Sequence, residues 1–141
     1  MSEFGRALLE KLFTFSCHGV LLELGSSQLT KGMSKHYRVW SVSHDLIKID
    51  KIPKVKYIFA PRVRGVYDER ALKDLPLYYD ILLITNKIGR MSFFVHTDKF
   101  CVDKPIIIVN LEDEDFLVNI ADKVKRQLTI YGVNGKRFAV I

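Results

Sequence analysis

The sequence predicts an α+β domain, a mostly antiparallel sheet with helices packed against it, and three observations carry that expectation. Two apolar runs, 79–84 and 91–95, flank Asn86-Lys87-Ile88-Gly89, whose residues suit the loop of a hairpin. Both are too continuously apolar for a sheet with one wet face, which predicts a central hairpin covered on both sides, and a third run, 105–109, would pair beside it. Near the end, 128–133 and 137–141 flank Asn134-Gly135, the dipeptide of a type I′ turn.

The elements follow in order. Phe4, Leu8, Leu9 and Leu12 recur at helical spacing, so 2–13 reads as a helix with Ser2 as its cap. Residues 15–24 read as a strand closed by Gly25-Ser26-Ser27, and 25–34 as a polar, mobile loop. Residues 36–43 form a mixed strand, and 46–50 a short continuation that Pro53 ends. In 54–59, Val55, Tyr57 and Phe59 alternate with Lys54 and Lys56, which predicts a strand with its lysines in solvent. Residues 62–66 alternate likewise, with both arginines on one side. Asp68 and Pro76 bracket a short middle helix over 68–75. The long helix spans 112–127: Phe116, Leu117, Ile120, Val124 and Leu128 form its stripe, with acids at its start and bases at its end.

Composition sets the bounds. A chain of 141 residues suits one domain over 1–141, and its 48% apolar and 27% charged residues are those of an ordinary globular protein. No apolar run approaches the roughly 20 residues of a membrane span, and Glu3 near the start argues against a secretory signal. Cys17 and Cys101 form no CxxC pair; each reads as a buried free thiol beside a strand, which points to a reducing cytoplasm.

The net charge of +6 is segregated. Between residues 31 and 64 there are nine Lys or Arg against Asp45 and Asp50; elsewhere thirteen bases meet fourteen acids. A concentrated field of this kind attracts polyanions. Lys35, Arg38, Lys54, Lys56, Arg62 and Arg64, interleaved with Tyr37, Trp40, Tyr57 and Tyr67, predict contact with a nucleic-acid backbone, DNA or RNA. The bland alternative keeps the aromatics in the core and the charges as a solvated face, and anionic lipid would feel the same field.

No P-loop, dinucleotide-binding glycine pattern, nucleophile elbow or HExxH is present, and the four histidines have no metal spacing, so no cofactor or metal is expected. One constellation is more chemical. Glu10 on the first helix, Asp80 opening one strand and Asp98-Lys99 closing the next are similar in order to PD-(D/E)xK nucleases. That resemblance implies two acids on a divalent metal and a lysine helping to activate water. The sequence departs from it, since Asp80 follows Tyr79 and not a proline, and Asp98 and Lys99 are adjacent and would point to opposite faces of a strand. A strand-rich domain with an amphipathic helix near its end also resembles a PH-like interaction module, here followed by one more hairpin. The apolar end, 138–141, would serve as an edge strand for a homodimer. The expectation is a small, basic, non-enzymatic nucleic-acid-binding protein, with an interaction module or divergent nuclease as alternatives.

Overall fold

The computed structural model describes residues 2–45 and 51–141. The chain forms α1 (Glu3–Phe13), β1 (Val20–Leu24), α2 (Thr30–Ser34), β2 (Arg38–Ser43), β3 (Lys56–Phe59) and a small hairpin of β4 (Arg62–Val63) and β5 (Val66–Tyr67). A 3₁₀ turn (Glu69–Asp74) leads to β6 (Ile81–Ile84), α3 (Lys87–Val95), a second 3₁₀ turn (Thr97–Lys99), β7 (Ile106–Val109), α4 (Glu114–Val124), β8 (Thr129–Val133) and β9 (Lys136–Val140). Seven strands make one sheet in the order β3-β2-β1-β6-β7-β9-β8. The first five are parallel, and β9 runs antiparallel between β7 and β8. This is a doubly wound α/β fold, not the mostly antiparallel α+β domain that the sequence suggests.

One misassigned segment accounts for the difference. Asn86 has an extended backbone, and its Oδ1 accepts a hydrogen bond from Gly89 N at 2.8 Å. It is therefore the N-cap of α3 and not part of a hairpin loop. Ile88, Ser92 and Phe93 then fall on one buried helical face. With α3 crossing between them, β6 and β7 lie parallel, as a strand–helix–strand unit requires.

Both faces of the sheet are covered. Leu8, Leu9 and Leu12 of α1 and Met33 of α2 pack on Leu21, Val39, Ile81, Leu83, Ile107 and Phe138. On the other face, Ile88, Phe93, Leu117 and Ile120 of α3 and α4, with Tyr67 and Leu72, meet Leu22, Leu24, Leu82, Ile84, Ile106 and Ile108. Successive strand residues point to opposite faces, so covering both buries all of β6 and β7. Truncating one of these side chains to alanine costs about 2–5 kcal/mol.

Other expectations hold locally. Ser2 caps α1 by accepting from Gly5 N at 3.0 Å, Asp68 Oδ1 accepts from Arg70 N at 3.0 Å, and Asn134 and Gly135 both take positive φ in the final turn. Others do not. The first strand is only 20–24, the loop over 25–34 contains α2, and the suggested strand over 46–50 lies outside the described residues. In β3 it is Ile58 that is buried while Phe59 is 49% exposed, the reverse of the expected alternation. Because β9 is interior, residues 138–141 offer no edge to a second subunit; the edges belong to β3 and β8. Cys17 is exposed and Cys101 half-buried, and both are free.

The parallel strands set the functional geometry. From β1 the chain continues to β2 on one side and β6 lies on the other, so the winding direction reverses between β1 and β6. In open α/β sheets such a switch point leaves a crevice outside the carboxyl ends of the strands.

Candidate functional site

The carboxyl edge of β1 is organised around a buried acid. Glu23 is 0% exposed, and its carboxylate accepts hydrogen bonds from Ser41 Oγ (2.6 Å), Thr30 Oγ1 (2.7 Å) and Ser27 Oγ (3.0 Å). Burial pushes its pKa up to about 7, against the lowering effect of the three hydroxyls. Fully covered, Glu23 touches no ligand; it fixes the loop over 25–29 and the start of α2 on the sheet.

Gly25 follows β1 with φ near +101°. A Cβ there would meet Thr85 Oγ1 at 2.5 Å and the Asn86 amide closer still, so only glycine fits. Thr85 Oγ1 donates to Gly25 O at 2.5 Å, Asn110 Nδ2 donates to Thr85 O at 2.7 Å, and the buried Arg90 donates to Asn110 O at 3.0 Å. These bonds tie the ends of β1, β6 and β7 into one platform. Gly89 lets α3 approach that platform, since a Cβ there would come within 2.8 Å of Leu24 O.

A cleft of about 1030 Å³ opens over the platform, lined by the loop after β1, α2, the loop after β7, Phe4 and the β8–β9 turn. At the end of β2, Asp45 stands twenty residues after Gly25, its backbone N–H donating to Ser43 Oγ at 3.1 Å. Beneath the edge, Tyr67 is fully buried, and its hydroxyl is the buried side-chain polar atom left without a hydrogen bond among the described residues. The Asn86 amide is near enough to favour its ionised form slightly, but burial and the Glu23 charge raise its pKa well above the usual phenol value.

The expected basic patch does not assemble. Lys35 caps the end of α2 and Arg38 opens β2 at the amino edge of the sheet. Lys54 precedes β3 with φ near +73°, and Lys56 starts that strand with Nζ 4.6 Å from the Trp40 ring centroid. Arg62 and Arg64 lie beyond the opposite end of β3, in the β4–β5 hairpin. Tyr37 and Tyr67 are core residues.

The nuclease constellation also disperses. Glu10 is exposed on α1, and Asp98 and Lys99 sit in the 3₁₀ turn after α3, where Lys99 pairs with Glu69 at 3.8 Å. Asp80 is spent on structure: Oδ2 accepts from Val20 N at 2.8 Å and Oδ1 from Tyr78 Oη at 2.5 Å. Partial burial works to raise its pKa, but those bonds and the charges of Lys104 and His18 hold it below the carboxylate range. Among the described residues no group of three His, Cys, Asp or Glu is placed to hold a metal.

No family model matches the chain, and comparison with curated proteins finds no match. Solved structures do resemble it. Precorrin-6y C5,15-methyltransferase from Geobacter metallireducens superposes with a TM-score of 0.71 at 12% identity, covering 98% of this chain and 86% of that one. Precorrin 8w decarboxylase from Methanobacterium thermoautotrophicum gives 0.67 at 14% identity, covering 99% and 89%. The MycE methyltransferase of the mycinamycin pathway, solved with Mg, SAH and mycinamycin VI, gives 0.57 at 13% identity, covering 96% and 46%. At such identities these likenesses establish the fold alone, a Rossmann-like α/β sheet. They overturn the expectation of a nucleic-acid-binding or nuclease domain, whose charged strands and paired acids this architecture does not bring together.

Gly25 and Asp45 escaped the sequence reading. The available signal was an acid-Leu-Gly at the end of an apolar strand, followed twenty residues later by an acid ending the next one.

Proposed function

We propose that the protein is a methyltransferase that binds S-adenosylmethionine at the carboxyl edge of β1 and β2. The observation that carries this reading is the pairing of Gly25, whose positive φ turns the chain at the end of β1 next to the switch point, with Asp45 just past the end of the adjacent parallel strand β2. In dinucleotide-binding sheets the same two positions take a phosphate or nucleoside backbone and a ribose hydroxyl. The loop Gly25-Ser26-Ser27-Gln28-Leu29 has one glycine where a dinucleotide loop has three. Its shape is held by Glu23 through Ser27 and Thr30 instead. The residues fit a nucleoside ligand on the ribose side and at the first turn of the loop, and the unpartnered Tyr67 hydroxyl adds a buried polar group below it.

In this reading Asp45 accepts hydrogen bonds from the ribose, and the loop that Gly25 turns, through Ser27, Gln28 and Leu29, lies against the ligand. The Thr85–Asn110–Arg90 network keeps the platform rigid, and the cleft toward α2 and the β8–β9 turn receives the acceptor. Bound S-adenosylmethionine supplies a methyl group on a sulfonium sulfur. A cytoplasmic location is part of the proposal and rests on the two free thiols; no helix among the described residues is long and apolar enough to cross a membrane.

Calorimetric titration with S-adenosylhomocysteine tests this reading. Binding is expected, with Asp45→Ala weakening it about tenfold for the loss of one to two hydrogen bonds. No binding at millimolar ligand, or full affinity in Asp45→Ala, overturns it.

A further inference from the structure

The acceptor side of the cleft has a one-sided charge. Lys31 on α2 and Lys35 at its C-terminal cap stand four residues apart, and Lys136 and Arg137 line the cleft from β9. Among all the described lining residues there is no Asp or Glu. Arg137 is bonded to Glu114, but among the described residues no carboxylate pairs with Lys31, Lys35 or Lys136. Phe4, Leu29, Val109 and Leu111 supply apolar lining, and Ser2, Ser27, Gln28 and Asn110 supply hydrogen-bonding groups. A cavity of this size suits a small organic molecule. Lys136 Nζ lies 6.0 Å from the Phe4 ring centroid, and none of the three lysines has a carboxylate partner among the described residues. Three such ammonium groups around one concave space attract anions more strongly than three dispersed ones, because the low-dielectric walls focus their field. The lining also holds no histidine, carboxylate, thiol or phenol. Its side chains therefore provide no conventional general base, and the acceptor must carry its own available lone pair.

We propose that this cleft takes a small organic polyanion, an acceptor with two or more carboxylate or phosphate groups, held between Lys31 and Lys35 on one wall and Lys136 on the other. The proposal rests on the methyltransferase reading for the acceptor's role and on the lining charges for its chemistry. It puts to use a different set of cations from those singled out in the sequence, with only Lys35 shared.

The test is calorimetry of the intact protein with two probes, benzenehexacarboxylate and tripolyphosphate, in low salt, alongside S-adenosylhomocysteine. At least one polyanion is expected to bind, and Lys31→Gln/Lys136→Gln to weaken it tenfold or more while leaving S-adenosylhomocysteine affinity unchanged. Preference for the first probe identifies carboxylates as the recognised groups, and preference for the second identifies phosphates. Absence of polyanion binding, or binding untouched by the double substitution, overturns the proposal even where S-adenosylhomocysteine binds. Polyanion binding that the substitutions weaken, with no S-adenosylhomocysteine binding, upholds the charge assignment and removes the methyl-transfer reading. A duplex or single-stranded oligonucleotide bound through the same lysines in place of either small probe also overturns it. Circular dichroism of the double variant, which alters only exposed side chains, guards against unfolding as the cause.

Discussion

Glu23 Oε1 accepts a hydrogen bond from Thr30 Oγ1 at 2.7 Å, and this buried bond anchors the first turn of α2 to the end of β1. The same oxygen receives Ser41 Oγ from the neighbouring strand, so one carboxyl group sets the loop, the helix and the strand spacing together. Its pKa near 7 makes that arrangement sensitive to pH. The folded state holds the proton more tightly than the unfolded chain. The associated stability is therefore fully present below about pH 4.5 and is lost as pH rises through about 7. The loss is on the order of 3 kcal/mol. Chemical denaturation at several pH values should show stability falling across this window, and Glu23→Gln, which keeps the shape and the acceptor oxygen, should flatten that part of the curve. An unchanged slope in the variant would assign the dependence to another group.

Tyr67 gives a prediction of the opposite kind. Its hydroxyl is buried without a hydrogen bond, and leaving such a group unsatisfied costs about 1–3 kcal/mol. Tyr67→Phe keeps the ring in the core beside Leu24 and Phe93 and removes the orphan. The ligand-free protein should gain up to about 1 kcal/mol and a few degrees in Tm. A loss of similar size would mean that the hydroxyl has a partner, such as an internal water.

The fold was legible only in part. Continuous apolar runs at 79–84 and 105–109 do announce strands covered on both faces, and such strands are usually parallel. The obstacle was Asn86-Lys87-Ile88-Gly89, because asparagine and glycine serve hairpin turns and helix caps equally well. Five residues at 91–95, four of them apolar, are too few to tell a strand from a helix by period. Once α3 is read as a strand, every pairing downstream turns antiparallel. Charge misled for a different reason: position in sequence does not fix position along a strand, and the lysines and arginines expected together lie at opposite ends of β3. The site was harder still, since Gly25 and Asp45 acquire meaning only when β1 and β2 are adjacent and parallel.

Gly25 should tolerate no side chain. Its φ near +101° and the contacts a Cβ would make with Thr85 and Asn86 predict that Gly25→Ala costs about 2 kcal/mol or more. The displaced Asn86 amide would also loosen the cap of α3. S-adenosylhomocysteine affinity should fall at least tenfold under conditions where the variant is still folded. Wild-type affinity in a folded variant would place the nucleoside away from this loop.

Gly19 and Asp80 provide the control at the other end of the same strand. Gly19 has φ near +115°, and a Cβ there would overlap Asp80 Oδ2 and lie 2.9 Å from its Cγ. The Asp80 carboxylate accepts the first backbone N–H of β1, so it fixes where that strand begins. Asp80→Ala leaves this N–H without its charged acceptor, at a cost of about 1.5–3 kcal/mol. Because Asp80 serves the amino edge and the proposed ligand the carboxyl edge, Asp80→Ala should lower Tm yet bind S-adenosylhomocysteine with unchanged affinity at a temperature where it remains folded. Divalent metal should not rescue its stability, since the carboxylate is engaged with Val20 N and the Tyr78 hydroxyl. A metal-dependent Tm in the wild type that disappears in Asp80→Ala would return Asp80 to the role of a ligand.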